Sequence, residues 1–202
     1  MIIHTSPAQL PVAVGVTGAS GAIYAVRLVD RLAGMGIPLH LVVSEAGRMT
    51  LKDELGVSPR QLAKRPGVTY HAIGEIGAAV ASGSYRLRGT VICPCSAKSL
   101  GEIALGVGDN LIARMGHVAL KERWPLIVVP RETPYALPLI ENMKRLALAG
   151  ANILPASPSF YRHPQTIDAL VDTVIDRALT MLGLESFLTP WPGLGVDDSS
   201  VN

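Results

Sequence analysis

At 202 residues, 49% apolar and 4% aromatic with a formal net charge of +2, the chain suffices for one aliphatic core and is too weakly charged for a nucleic-acid partner. No apolar run approaches the ~20 residues that span a bilayer, and residues 1–7 lack a basic stretch leading into an apolar one, so the expectation is a cytoplasmic protein without membrane contact. The only cysteines, Cys93 and Cys95, are too close to bridge without strain and too few for a structural zinc site; they are expected reduced, buried and facing the same way on one strand.

In chain order, Val12–Val16 reads as a buried strand that runs into Val16-Thr17-Gly18-Ala19-Ser20-Gly21 and a helix over about 21–33. Glycines there allow close backbone approach, and the helix start offers free N–H groups and a positive dipole end. Two readings stand: a phosphate cradle, or a tight turn in which Ser20 sits near the N-cap. The spacing Gly15-x-x-Gly18-x-x-Gly21 departs from the usual dinucleotide fingerprint. A short-chain dehydrogenase would also need a lysine four positions after a tyrosine, and none of Tyr24, Tyr70, Tyr85, Tyr135 or Tyr161 has one.

A second strand, Leu39–Val43, ends at Ser44, and a helix over about 46–55 carries Glu54. Residues 56–89 carry the weakest signal, with a short strand at Val68–His71 and then a long loop. The strand at 90–93 leads into Pro94-Cys95-Ser96-Ala97-Lys98-Ser99 and a helix over 99–105. Hydroxyls and backbone N–H groups in that loop suit a phosphate or a heteroaromatic edge. On the helix over 110–123, Arg114 and Lys121 lie seven residues apart and share one face.

The strand at 126–129 ends in Pro130-Arg131-Glu132-Thr133-Pro134. This arrangement predicts three cations, Arg114, Lys121 and Arg131, converging near the Glu132 carboxylate, a cluster suited to an anionic leaving group and proton transfer. After a helix over 138–149 and a strand at 152–154, Tyr161 adds a hydroxyl, and Arg177, on a helix over 166–182, adds a guanidinium. His4, His40, His71, His117 and His163 show no paired ligand spacing, and no metal is expected. Near-continuous apolar strands alternating with amphipathic helices predict an α/β three-layer αβα sandwich around a parallel sheet, with ligands beyond the carboxyl ends of the strands. One domain over 1–202 is expected, its core about 11–184 and its tail 185–202.

Several segments together resemble the flavin prenyltransferases, the UbiX/Pad type of the flavoprotein (cysteine decarboxylase-like) superfamily. They are Thr17-Gly18-Ala19-Ser20-Gly21, Ala81-Ser82-Gly83-Ser84, Val91-Ile92-Cys93-Pro94-Cys95-Ser96, Ala119-Leu120-Lys121-Glu122-Arg123, Val129 to Pro134, and Phe160-Tyr161-x-x-Pro164-Gln165-Thr166. The resemblance implies a Rossmann-like subunit that binds FMN in a cleft between subunits of a homo-oligomer, typically a dodecamer. It implies metal-independent transfer of the dimethylallyl group of dimethylallyl phosphate to N5 and C6 of reduced FMN, and a UbiD-type decarboxylase as recipient of the product.

By position, Gly18, Ala19, Ser20, Ser44, Ser96, Ala97, Lys98, Ser99 and Arg114 then contact FMN, and Lys121, Arg131, Tyr161 and Arg177 hold the prenyl phosphate. Glu132 is the acid–base group; Ser20, Glu54 and Lys121 lie near the chemistry, and Trp191 flanks the prenyl group. His117 stands where the family commonly has an acidic residue. Two alternatives stay open: an FMN-dependent cysteine decarboxylase, against which Lys98 replaces the asparagine of that group's loop, and a non-catalytic flavin carrier.

Overall fold

The structure, a computed structural model, describes residues 10–184; the expected tail, with Trp191, lies outside them. Six parallel strands form one sheet: β1 (Val12–Val16), β2 (Leu39–Val43), β3 (Val68–His71), β4 (Gly89–Cys95), β5 (Leu126–Pro130) and β6 (Asn152–Ile153), in the order β3-β2-β1-β4-β5-β6. The helices are α1 (Ala22–Gly34), α2 (Glu45–Leu55), α3 (Pro59–Leu62), α4 (Ala97–Leu105), α5 (Leu111–Glu122), α6 (Leu137–Leu148) and α7 (Ile167–Met181).

Strand alternation divides the core. Val12, Val14 and Val16 of β1 and Ile127 and Val129 of β5 pack with Leu28, Leu32, Val174 and Ile175 of α1 and α7. Ala13, Leu126 and Val128 pack on the other face with Leu100, Ile112, Met115 and Leu146 of α4, α5 and α6. Both faces of the sheet are thus covered, which is why the strands read as apolar runs without a polar side. On the first face, Arg27 pairs with Asp172 at 2.5 Å and Arg31 with Asp176 at 2.6 Å, tying α1 to α7.

Cys93 and Cys95 are free and buried, but they face opposite ways, one in each half of the core. The register explains the departure: Ile92 pairs with Val128 and Cys95 with Pro130, so β4 spends three residues where β5 spends two. One extra residue in a strand moves the following side chain to the other face. Burial pushes both thiols well above their ordinary range.

The stretch 56–89 is more ordered than its composition suggests. Ser58 and Gln61 form a reciprocal capping box at α3, and a 3-10 turn at Ala79–Ala81 buries Val80. His40 on β2 bonds His71 on β3 at 2.9 Å and the Tyr85 hydroxyl at 3.0 Å, which pins this stretch to the sheet edge. Burial, with His71 adding, pushes His40 down to about 4, so the network is built on a neutral ring. Among the described residues no helix is long and apolar enough to cross a membrane.

Candidate functional site

The strand order reverses direction between β1 and β4, and crevices at such switch points are where open α/β sheets bind ligands. The loops leaving β1, β2, β4 and β5 meet there. Gly18 of the first loop must be glycine, because a Cβ on it would lie 2.4 Å from that of Ala46 at the start of α2. Gly21 has φ 100 and is itself the N-cap of α1, with no side-chain cap. Ser20 is therefore not the helix cap, one of its two sequence readings. Its side chain is exposed, and its carbonyl accepts from Arg131 Nε at 2.9 Å.

The free N–H groups at the start of α1 are taken by Glu54. Its carboxylate accepts from Gly21 N at 3.0–3.1 Å and from Ala22 N at 2.7 Å. A carboxylate there complements the positive end of the helix. Two of the N–H groups at that end are thus engaged by a carboxylate, which also stands beside Ser20.

The next two loops follow a common pattern. Ser44 caps α2 by accepting from Gly47 N at 3.0 Å, and Ser96 caps α4 by accepting from Ser99 N at 3.4 Å. Helix α4 thus starts at Ala97, two residues before the expected position, with Ala97 and Lys98 exposed and Ser99 buried. Lys98 pairs with Glu102 at 3.4 Å. His117 on α5 contacts the Glu102 carbonyl at 3.3 Å, so it serves the α4–α5 contact.

The cations divide into separate groups. Arg131 joins the first and third loops, through Ser20 and through its own N–H to the Cys95 carbonyl at 3.4 Å. Glu132, exposed beside it, accepts from Thr133 N at 3.0 Å. Tyr161 and Arg177 share a cavity of about 290 Å³ with Leu154, Ser157, Ser159 and Thr173. Ala156 of the same segment bonds Pro130 at the end of β5 and lies 3.5 Å from the Tyr24 hydroxyl of α1. Burial, with Cys93 adding, pushes that phenol up.

Arg114 bonds the Ala81 carbonyl through Nε at 3.2 Å, and Lys121 pairs with Glu122 at 2.8 Å beside Gly83. Among the described residues neither Arg114 nor Lys121 bonds Glu132 within one chain, and of the three cations Arg131 alone adjoins it in sequence. Lys121 lies in the last turn of α5, ahead of β5, whereas Glu132 follows β5; the five residues of that strand, about 16 Å, separate its two ends.

One residue of this site had no role assigned from the sequence. Thr17, fully buried, bridges the first and third loops through its hydroxyl; the only sequence signal was a threonine directly after a strand. Among the described residues no three His, Cys, Asp or Glu side chains gather to hold a metal ion.

The family profile described as Flavoprotein matches residues 4–179. Flavin prenyltransferase UbiX of Halalkalibacterium halodurans is 43% identical over 188 residues, 88% of this chain and 91% of that protein. The crystal structure of AnUbiX (PadA1) in complex with FMN and dimethylallyl pyrophosphate aligns with TM-score 0.88 and 34% identity over 92% of this chain and 99% of that one. A dodecameric FMN-dependent UbiX-like decarboxylase from Escherichia coli aligns with TM-score 0.86 and 37% identity over 91% of this chain and 100% of that one. With a parallel sheet whose loops meet at the switch point and sequence kinship over nearly its whole length, the chain belongs to the Flavoprotein family, among the UbiX-type flavin prenyltransferases.

Proposed function

We propose that this flavin prenyltransferase joins the dimethylallyl group of dimethylallyl phosphate to N5 and C6 of reduced FMN, releasing phosphate, and that its product serves a UbiD-type decarboxylase. The observation that carries the reading is a pair of guanidinium groups, Arg131 and Arg177, whose nitrogens are largely unengaged. Among the described residues Arg177 has no hydrogen bond or ion pair, and Arg131 uses only Nε and its backbone N–H, leaving its terminal nitrogens unpaired. Guanidinium groups with unpaired nitrogens fit a phosphate, which they grip through two parallel bonds. The exposed hydroxyl of Ser20 and the start of α4 at Ser96–Ser99 fit the flavin, in keeping with the AnUbiX complex that holds FMN.

Reduced FMN, when bound, supplies the two nucleophilic positions that take the prenyl carbons. Arg131, Arg177 and the Tyr161 hydroxyl hold the phosphate while its carbon–oxygen bond breaks. Glu132, whose Oε2 is not engaged by Thr133, gives a proton to the departing phosphate oxygen and recovers one as the flavin loses its own. Glu54 keeps Ser20 in place by holding Gly21 and Ala22. Trp191 supplies an aromatic face to the allyl group as positive charge develops on it.

Anaerobic incubation with reduced FMN and dimethylallyl phosphate, then mass analysis of the extracted flavin, tests this directly. The expected product is FMN heavier by one five-carbon prenyl group. FMN recovered unmodified from the protein would reduce the reading to flavin binding and delivery.

Lys121 and Glu132 share one site only if a second copy of the chain brings them together, as the dodecameric relative makes feasible. Lys121→Ala and Glu132→Gln chains, each inactive alone, should recover activity when co-expressed, because about a quarter of the sites in a random mixture take both wild-type residues. No recovery, with mixed oligomers verified by mass, would remove Lys121 from the site.

A further inference from the structure

Two buried threonines, one near the start of β4 and one directly after β1, have opposite fates. Thr90, in β4, is fully buried, and its hydroxyl finds no hydrogen-bond partner. Thr17, directly after β1, is equally buried and uses its hydroxyl twice. Its Oγ1 donates to the Pro94 carbonyl at 2.9 Å and accepts from the Ser96 N–H at 2.7 Å. Its backbone N–H reaches the same Pro94 carbonyl at 3.2 Å.

These bonds close a ring of contacts. From Thr17 the chain continues through Gly18 and Ala19 to Ser20, whose carbonyl holds Arg131 Nε. Arg131 N returns to the Cys95 carbonyl, and the next residue, Ser96, donates back to Thr17. Ser96 also caps α4. The hydroxyl therefore bolts the first loop directly to Ser96, the cap of α4. Being fully buried, it touches no ligand itself.

We infer that Thr17 is the positioning residue of the flavin subsite: its hydroxyl sets the separation of Gly18–Ser20 from Ser96–Ser99, so that both loops face one ligand. The inference rests on the reading that these loops bind FMN. Loss of the hydroxyl removes a donor and an acceptor together and leaves the part-buried Ser96 N–H without this partner, the costly way to break a hydrogen bond.

Thr17→Val keeps the shape and removes the hydroxyl. It is expected to raise the Kd for FMN roughly 10- to 100-fold, while kcat at saturating FMN and KM for dimethylallyl phosphate change by less than about threefold. In the flavin-free protein the Ser96 amide should lose protection against hydrogen exchange. Thr17→Ser, which keeps the hydroxyl, should bind FMN like the wild type, and Thr90→Val should leave FMN affinity unchanged.

Wild-type FMN affinity in Thr17→Val, or a loss in Thr17→Ser as large as in Thr17→Val, overturns the inference. Should Thr17→Val fail to fold, Thr17→Ala replaces it: weak binding beside a normal Thr17→Ser supports the clamp, and equal binding by the two removes it. A wild-type protein that does not bind FMN would sink the flavin reading instead. The clamp is then decided by the Ser96 amide alone, whose unchanged protection in the valine or alanine variant overturns it.

Discussion

Glu132→Gln is expected to lower kcat by about 10²–10⁴-fold, the usual range for a positioned proton-transfer group, while FMN binds as tightly as in the wild type. The side chain is exposed just beyond β5, and the backbone around it is held by bonds that the substitution spares. Thr133 N donates to Oε1 at 3.0 Å, and Thr133 Oγ1 donates to the Glu132 carbonyl at 2.8 Å. An amide oxygen can still accept from Thr133 N, and the side-chain volume is unchanged. What disappears is the capacity to give and take a proton. Anaerobic single-turnover kinetics at saturating dimethylallyl phosphate, with the FMN Kd measured separately by flavin fluorescence, check the result. A parallel loss of FMN affinity would assign Glu132 to binding.

Arg177→Ala is expected to raise the Kd for dimethylallyl phosphate by about 10- to 100-fold, the worth of charge-assisted bonds to an anion, with FMN affinity and thermal midpoint nearly unchanged. The two halves of this expectation have one cause. Arg177 is exposed on α7 and makes no bond or ion pair among the described residues, so its loss breaks nothing in the fold. It also lines the cavity that holds Tyr161, Ser157 and Ser159, where a phosphate would find hydroxyls as well as charge. Arg177→Lys should recover only part of the affinity, because an ammonium cannot form the paired bonds of a guanidinium. Donor KM measured at two salt concentrations, beside a melting curve, checks the outcome. Unchanged donor affinity would exclude Arg177 from the phosphate site.

The central strands β1, β2, β4 and β5 were legible because both faces of the sheet are buried there, so each is a largely apolar run. The longer helices were legible for the complementary reason, one apolar stripe each. Four-residue α3 was not, since so short a segment shows no period. Cys93 and Cys95 show a different limit. Strict alternation put them on one face, and a single extra residue in β4, set by its pairing with β5, turned them apart. Of the two readings open for Ser20, ligand contact or helix cap, the structure removes the second: Gly21 is the N-cap, and a carboxylate 32–33 residues from Gly21 and Ala22 takes their N–H groups.

The chain by itself determined the α/β class, the placing of chemistry on the loops after β1, β2, β4 and β5, and the residue types offered to an anion. Those properties depend on local apolar pattern and on the chemistry of single side chains. Tertiary structure alone decided which offered groups stand together: Arg131 with Ser20, Glu54 with the start of α1, Thr17 with Ser96, and Lys121 away from Glu132, before the start of β5 rather than after its end. The physical reason is that such juxtapositions follow from strand order, register and the direction of each helix, which arise from packing between segments distant in the chain and leave no mark in the local pattern of any one of them.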